Sequence, residues 1–254
     1  MDFLLIANII KRKLNTATDR INCVIIAMHP RIPRILALLL ALAVALTAEA
    51  QPYFCTRQGA KLHYVRRETG SGRVRWEQTL SIDKVAAGAD STVIAYSTVM
   101  KPRRGNAVLV ELDCIIDARD NLSVSIGSSV RSVFASLLPK ADIASIGDER
   151  SVIPSTMKTG DMLPDASAEV KLPAGRYVVK VTNRKVLRSE TITTPAGTFD
   201  CMVVSEHKVE KAPGVRRETT ASTWYARGVG MVRHDTYDKD LRLVTSEVLE
   251  SISD

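Results

Sequence analysis

Cysteine and long apolar runs are both scarce in this chain of 254 residues. Its four cysteines are too few for a disulfide-dense scaffold. None forms a C-x-x-C pair, which argues against a thioredoxin-like redox role. No apolar run reaches the about 20 residues that a membrane-spanning helix needs. Catalytic and phosphate-binding motifs are missing too. There is no G-x-S-x-G elbow, no S-x-x-K followed by its partner motifs, and no G-x-x-x-x-G-K-[ST] or G-x-G-x-x-G loop. Metal-binding spacing is absent as well. His63, His207 and His234 lie far apart with no H-x-x-x-H, whereas a zinc site needs about three converging ligands. The sequence therefore nominates no catalytic, cofactor-binding or metal-binding residue, and a hydrolase would need a site assembled only in space.

What is present is the composition of a folded protein. Apolar residues make up 45% and charged residues 25%, which excludes a disordered chain. Lys and Arg outnumber Asp and Glu by 35 to 28, giving a net charge of +7.

The N-terminal region sets the expected compartment. Ile35–Leu46 is an unbroken apolar run, preceded by Arg31 and Arg34 and followed by Ala48-Glu49-Ala50. A basic start, a short apolar core and a small-x-small end describe a secretory signal peptide over residues 28–50, cut after Ala50. Residues 1–27 read as an upstream start or an extension, with Met28 as the expected start. Cys55 follows Gln51-Pro52-Tyr53-Phe54, which is not a lipoprotein cleavage context, so no lipid anchor is expected. Removing residues 1–50 takes away six Lys/Arg and three Asp/Glu and lowers the net charge from +7 to +4. That is too mild to indicate nucleic-acid binding. The expectation is an exported protein, periplasmic or secreted, with no stable transmembrane anchor after processing.

Beyond residue 53 the chain alternates with period two, the mark of half-buried strands. Val108, Val110, Leu112, Cys114 and Ile116 share one face, with Glu111 and Asp113 on the other. Tyr177, Val179 and Val181 share a face, as do Phe199, Cys201 and Val203. Further strands are predicted at 62–67, 74–82, 92–100, 122–126, 167–172, 219–226, 230–237 and 241–251. Gly70-Ser71-Gly72, Gly88-Ala89-Asp90, Asp120-Asn121, Pro173-Ala174-Gly175 and Pro213-Gly214 punctuate them. This pattern predicts one all-β domain over residues 53–253: a curled antiparallel sheet, a β-roll or open barrel. Val130, Val133, Phe134, Leu137 and Leu138 instead follow helical spacing, with Ser129 as N-cap and Pro139 as stop. They predict one short helix across the open side of the sheet. Residues 141–165 read as an irregular loop.

Four blocks carry a family resemblance: Val181-Thr182-Asn183-Arg184-Lys185-Val186; Thr193 through Cys201; Trp224-Tyr225-Ala226-Arg227-Gly228-Val229-Gly230-Met231-Val232; and, more weakly, Met157 through Asp165. On these the sequence resembles the TapB-like family of exported bacterial proteins, related to periplasmic β-roll domains of unknown function. The resemblance implies an envelope address and no catalytic residue. Physically the blocks read as turns and packing. Pro195 and Gly197 suit a tight reversal, Gly228 and Gly230 suit positive φ, and Trp224 and Tyr225 face opposite sides, one of them in the core.

Three functional readings follow. The first is a non-enzymatic envelope protein whose sheet holds an apolar ligand or docks an envelope partner, with Val133, Phe134 and Leu137 lining the cavity. The second is an assembly factor acting through a sheet edge or a basic patch of Arg66-Arg67, Arg103-Arg104 and Arg216-Arg217. These pairs read more simply as solvated strand edges. The third is the hydrolase. Cys55, Cys114 and Cys201 are candidates for a disulfide. Cys114 and Cys201 also suit the core as small hydrophobes.

Overall fold

The computed structural model describes residues 51–138 and 140–254. The expected signal peptide, its cut after Ala50, residues 1–27 and the stop at Pro139 all lie outside the described residues.

Strong alternation becomes long strands. In chain order these are β1 (Lys61–Glu68), β2 (Val74–Ala87), β3 (Ser91–Pro102), β4 (Val108–Asp117) and β5 (Leu122–Ser125). Helix α1 (Ile126–Leu137) comes next, then β6 (Ala144–Asp148), β7 (Arg150–Ile153), β8 (Ala166–Leu172) and β9 (Gly175–Thr194). The last four are β10 (Gly197–Ala212), β11 (Val215–Ala226), β12 (Gly230–Tyr237) and β13 (Leu243–Ser253). All join one antiparallel sheet in the order β6-β8-β9-β10-β11-β12-β13-β1-β2-β3-β4-β5-β7, nearly closed into a barrel.

The closure is made by a segment with little strand signal in its sequence. β6 and β7 are the two edges of the sheet, yet only Glu149 separates them in the chain. The Glu149 amide donates to the Ser167 carbonyl at 2.8 Å. One residue later, the Arg150 guanidinium reaches the Ser123 hydroxyl at 2.7 Å and the Ser123 carbonyl at 2.9 Å. A single stretch of chain therefore changes partner from β8 to β5 and stitches the seam. This corrects the irregular loop expected over 141–165 at residues 144–153, while 154–165 remain without a named element. β6 reads Ala-Ser-Ile-Gly-Asp and is exposed along its whole length, so burial imposes no alternation on it.

The helix starts earlier than its apolar spacing implies. Ser125, not Ser129, is the N-cap, and its hydroxyl accepts from the Ser128 amide at 2.9 Å. Ser129 sits inside the first turn, with its hydroxyl donating to the Ser125 carbonyl. β5 covers only Cys114–Ile116 of its neighbour, which leaves the first half of β4 with a free edge. α1 lies along that edge. Ser132 donates to the Glu111 carbonyl and Ser136 to the Leu109 carbonyl. Helical i, i+4 spacing thus meets the i, i+2 carbonyls of one strand edge and satisfies groups that would otherwise template aggregation. Ile126 and Val130 pack onto Ala168, Val179 and Val181.

The main core is built by the predicted alternation. Ile94, Cys114, Val186, Val203 and Leu249 are fully buried. Trp224 is buried in this core and the half-buried Tyr225 packs against it from the opposite face of the strand, as the alternation predicts. The sheet curls enough to enclose Tyr225 on the inside. On the opposite face the Arg233 and Arg188 guanidiniums lie 4.7 and 5.9 Å from the Trp224 ring.

Candidate functional site

The paired registers place one inward set of side chains around the barrel. Leu62, Tyr64 and Arg66 of β1 face Leu80, Gln78 and Trp76 of β2. Tyr64 and Arg66 also face Leu249 and Glu247 of β13. The character of this face changes along the strands. From Leu62 to Arg66 it passes from apolar to charged, and β11 mirrors the change from Tyr225 to Arg217. The interior is accordingly split into two voids.

The apolar one has a volume of about 260 Å³ and is lined by Tyr64, Leu80, Leu122, Val124, Ile153 and Tyr225 among others. The segment before β1 closes it. Tyr53, Phe54 and Cys55 contribute to its wall, and Phe54 meets Tyr96 at 5.3 Å between ring centroids. Arg227 holds this segment in place. Its guanidinium donates to the Gln51 carbonyl at 2.8 Å, bonds the Ser155 carbonyl, and lies 4.8 Å from the Tyr53 ring. Both flanking glycines take positive φ, 68° at Gly228 and 99° at Gly230. A Cβ on Gly228 would stand 2.4 Å from the Gln51 side chain.

The second void is a polar chamber of about 510 Å³, within the usual range for ligand pockets, about 300–1,000 Å³. Behind its wall lies the Glu247 carboxylate, almost fully buried and held by two of the lining side chains. Arg66 donates to Glu247 Oε2 through Nη2 at 2.8 Å and Nε at 3.1 Å, and Trp76 Nε1 donates to Oε1 at 3.1 Å. The Arg66 guanidinium also stacks 4.4 Å over the Trp76 ring. Buried charge needs this degree of pairing to persist. Beside it, His234 Nδ1 hydrogen-bonds the Thr223 hydroxyl at 2.8 Å. Burial pushes the His234 pKa down to about 3, helped by the charges of Arg66 and Lys208. Thr219, Thr236 and Thr245 add hydroxyls to the wall, and Lys208, Arg75 and Arg217 stand toward solvent.

Arg184 supports the chamber from below. It is fully buried, and its guanidinium donates to the Pro164 carbonyl at 2.9 Å and the Val152 carbonyl at 3.3 Å. Its Nε lies 3.7 Å from Glu206. Burial raises the Glu206 pKa, while Arg184 and Lys208 act to lower it.

The residues nominated from sequence are placed elsewhere. Val133, Phe134 and Leu137 line neither void. Leu137 is exposed, and Phe134 packs on Tyr177 at 5.2 Å between centroids. Cys55, Cys114 and Cys201 are all buried and free, with no disulfide among them. Burial raises the Cys114 and Cys201 thiols to about 12, far from the range of reactive cysteines. His63 bonds Thr79, and only His234 of the three histidines lines the chamber. The basic pairs split. Arg66 and Arg217 line the chamber, while Arg67 pairs with Glu250 at 2.7 Å and Arg216 with Glu218. Arg103 and Arg104 stay in the exposed turn after β3. No group of three or more metal-binding side chains occurs among the described residues.

With this architecture in view, the DUF3108-like family profile matches residues 58–249. The chain belongs to the DUF3108-like family. That match spans every strand of the barrel, from β1 into β13, and the family it gives is DUF3108-like rather than the TapB-like one that the sequence blocks resembled. A candidate exported protein with YmcC-like fold from Bacteroides fragilis superposes with a TM-score of 0.66 at 19% identity, over 80% of this chain and 100% of that one. A candidate lipoprotein from Parabacteroides distasonis gives the same TM-score and identity, over 80% of this chain and 99% of that one. At this identity the likeness is one of fold. No curated protein matches the sequence.

Proposed function

We propose that this DUF3108-like protein is exported and binds a small apolar or amphipathic ligand inside its barrel, without catalysing a reaction on it. The observation that carries this is the pair of voids on one inner face, about 260 Å³ apolar and about 510 Å³ polar. Concave sites lined mostly by apolar and aromatic side chains with a few placed polar groups are the usual form of small-ligand pockets. Export rests on the signal-like sequence over residues 28–50. The exported and lipoprotein descriptions of the two structural neighbours agree with it.

Two observations favour binding over the other readings. The only imidazole in the chamber engages a threonine hydroxyl, while the buried carboxylate is taken by Arg66 and Trp76. No carboxylate therefore orients His234 as a base. One sheet edge is also covered, that of β4, while β6 and β7 are linked through Glu149. The serines of α1 take up carbonyls on the free half of β4, where an assembly factor would otherwise add a strand.

A fluorescent fatty-acid probe tests the proposal. The protein is expected to bind it saturably, and Val124→Trp, which fills the apolar void, is expected to abolish binding while the far-ultraviolet circular dichroism stays unchanged. Absence of saturable binding to the wild-type protein would overturn the reading.

A further inference from the structure

The polar chamber is lined by more cations than carboxylates, and after ion pairing among the described residues one of them, Arg217, is left over while two others are held only at 3.5 and 3.6 Å. Among its charged lining residues, Arg66, Arg75, Lys208 and Arg217 are basic and Glu206 alone is acidic. The carboxylates nearby are already engaged. Glu247 is held by Arg66 and Trp76. Glu206 faces the buried Arg184 guanidinium, whose Nε has no other partner, so its charge is spent on a cation below the chamber floor. Glu210 bonds the Tyr177 hydroxyl at 2.5 Å and lies 3.5 Å from Lys208. The cations toward solvent are more weakly held. Arg75 meets Glu68 only at 3.6 Å, and Arg217 makes no ion pair among the described residues. A cleft lined by one sign of charge focuses its field on a ligand of the opposite sign.

The neutral groups fit the same occupant. Thr219, Thr236 and Thr245 are buried hydroxyls on the wall. When the Thr223 hydroxyl donates to His234 Nδ1, the Nε2–H of that imidazole becomes a donor. The chamber also adjoins the apolar void. Arg66 follows Tyr64 on the inner face of β1, and Trp76 precedes Gln78 on β2, so neighbouring inward positions pass from one void to the other.

We propose that the chamber binds the anionic head, carboxylate or phosphate, of an amphiphile whose tail enters the apolar void. This rests on the ligand-binding reading above and adds the head-group class to it. Lys208 and Arg217 are the contacts that approaching anions meet first, and Arg66 is the fixed charge at depth.

Calorimetric titration of the purified protein with decanoate, decyl phosphate, decanol and inorganic phosphate tests this. Decanoate and decyl phosphate are expected to bind about ten-fold more tightly than decanol, as hydrogen bonds to charged groups imply after allowance for partial exposure. The variant Lys208→Gln/Arg217→Gln changes two side chains near solvent and so should keep the fold. It is expected to lose that preference while still binding decanol. Equal affinity for decanol and decanoate, or an unchanged preference in the variant, would overturn the head-group proposal and leave the apolar-ligand reading standing. Equally tight binding of inorganic phosphate would overturn it as well, since the tail would then contribute nothing. If none of the four binds, both readings fail together.

Discussion

His234 sits on the inner face among Arg66, Lys208 and Thr223, where a proton is doubly unwelcome: burial strips its hydration and the neighbouring cations repel it. Its folded pKa lies below its unfolded value, so the unfolded state binds the proton more tightly. Stability from this group is complete above about pH 6.5 and is lost as the pH falls toward 3. A single such group gives a slope of up to about 1.4 kcal/mol per pH unit. The unfolding free energy from urea titrations should therefore fall further between pH 7 and pH 5 for the wild type than for His234→Gln, by up to about 2 kcal/mol. Equal losses in the two proteins would show that His234 is not buried in this way. The residues around it illustrate what a sequence reveals at this scale. The pairs Arg66-Arg67 and Arg216-Arg217 are visible in the sequence, and strand alternation sends the members of each to opposite faces. Which member enters the barrel depends on register. Arg66 faces inward because Trp76 and Glu247 stand opposite it, and Glu247 is 181 positions away.

Elements with a burial period were readable, and those without one were not. β12 spans Gly230–Tyr237 as the alternation predicts, and the Pro195-Ala196 reversal joins two strands of 20 and 16 residues. β6 and β7 were hidden because neither has an alternating face to bury. The helix was visible, but its start was displaced because its true cap works through a partner from β6. Asp148 accepts from the Gly127 amide at 2.8 Å and from the Ser125 hydroxyl, placing a carboxylate at the positive end of the helix. Gly127 allows this approach: an added Cβ would stand 2.7 Å from Ser145 Oγ and 2.9 Å from Asp148 Cγ. Two effects of Gly127→Ala then compete. Helix propensity favours alanine by about 1 kcal/mol, while overpacking costs about 1–3 kcal/mol. The clash should win, because both contacts belong to the strand that closes the seam. A lower thermal midpoint, with faster amide exchange over 144–153, is the expected outcome. A raised midpoint would mean that β6 does not press on the helix.

At the scale of the whole molecule, the all-β class and the curl of the sheet follow from strand number, alternation and turn spacing. The voids do not, because an inner face exists only once residues 144–153 bring the two ends of the sheet together. That is why Val133, Phe134 and Leu137 were the natural apolar candidates in the sequence, while the two voids of the inner face are lined by strands distant in the chain. Family membership and the shared fold identify the architecture, and the interior distinguishes what it can hold. The most direct measurement of the ligand-binding claim is a titration with decanoate followed by methyl chemical shifts in nuclear magnetic resonance. Shifts should be concentrated at Leu80, Leu122, Val124 and Ile153, which line the apolar void, and saturate together. Shifts confined to exposed positions such as Leu109 and Leu137, with the interior methyls unmoved, would contradict it.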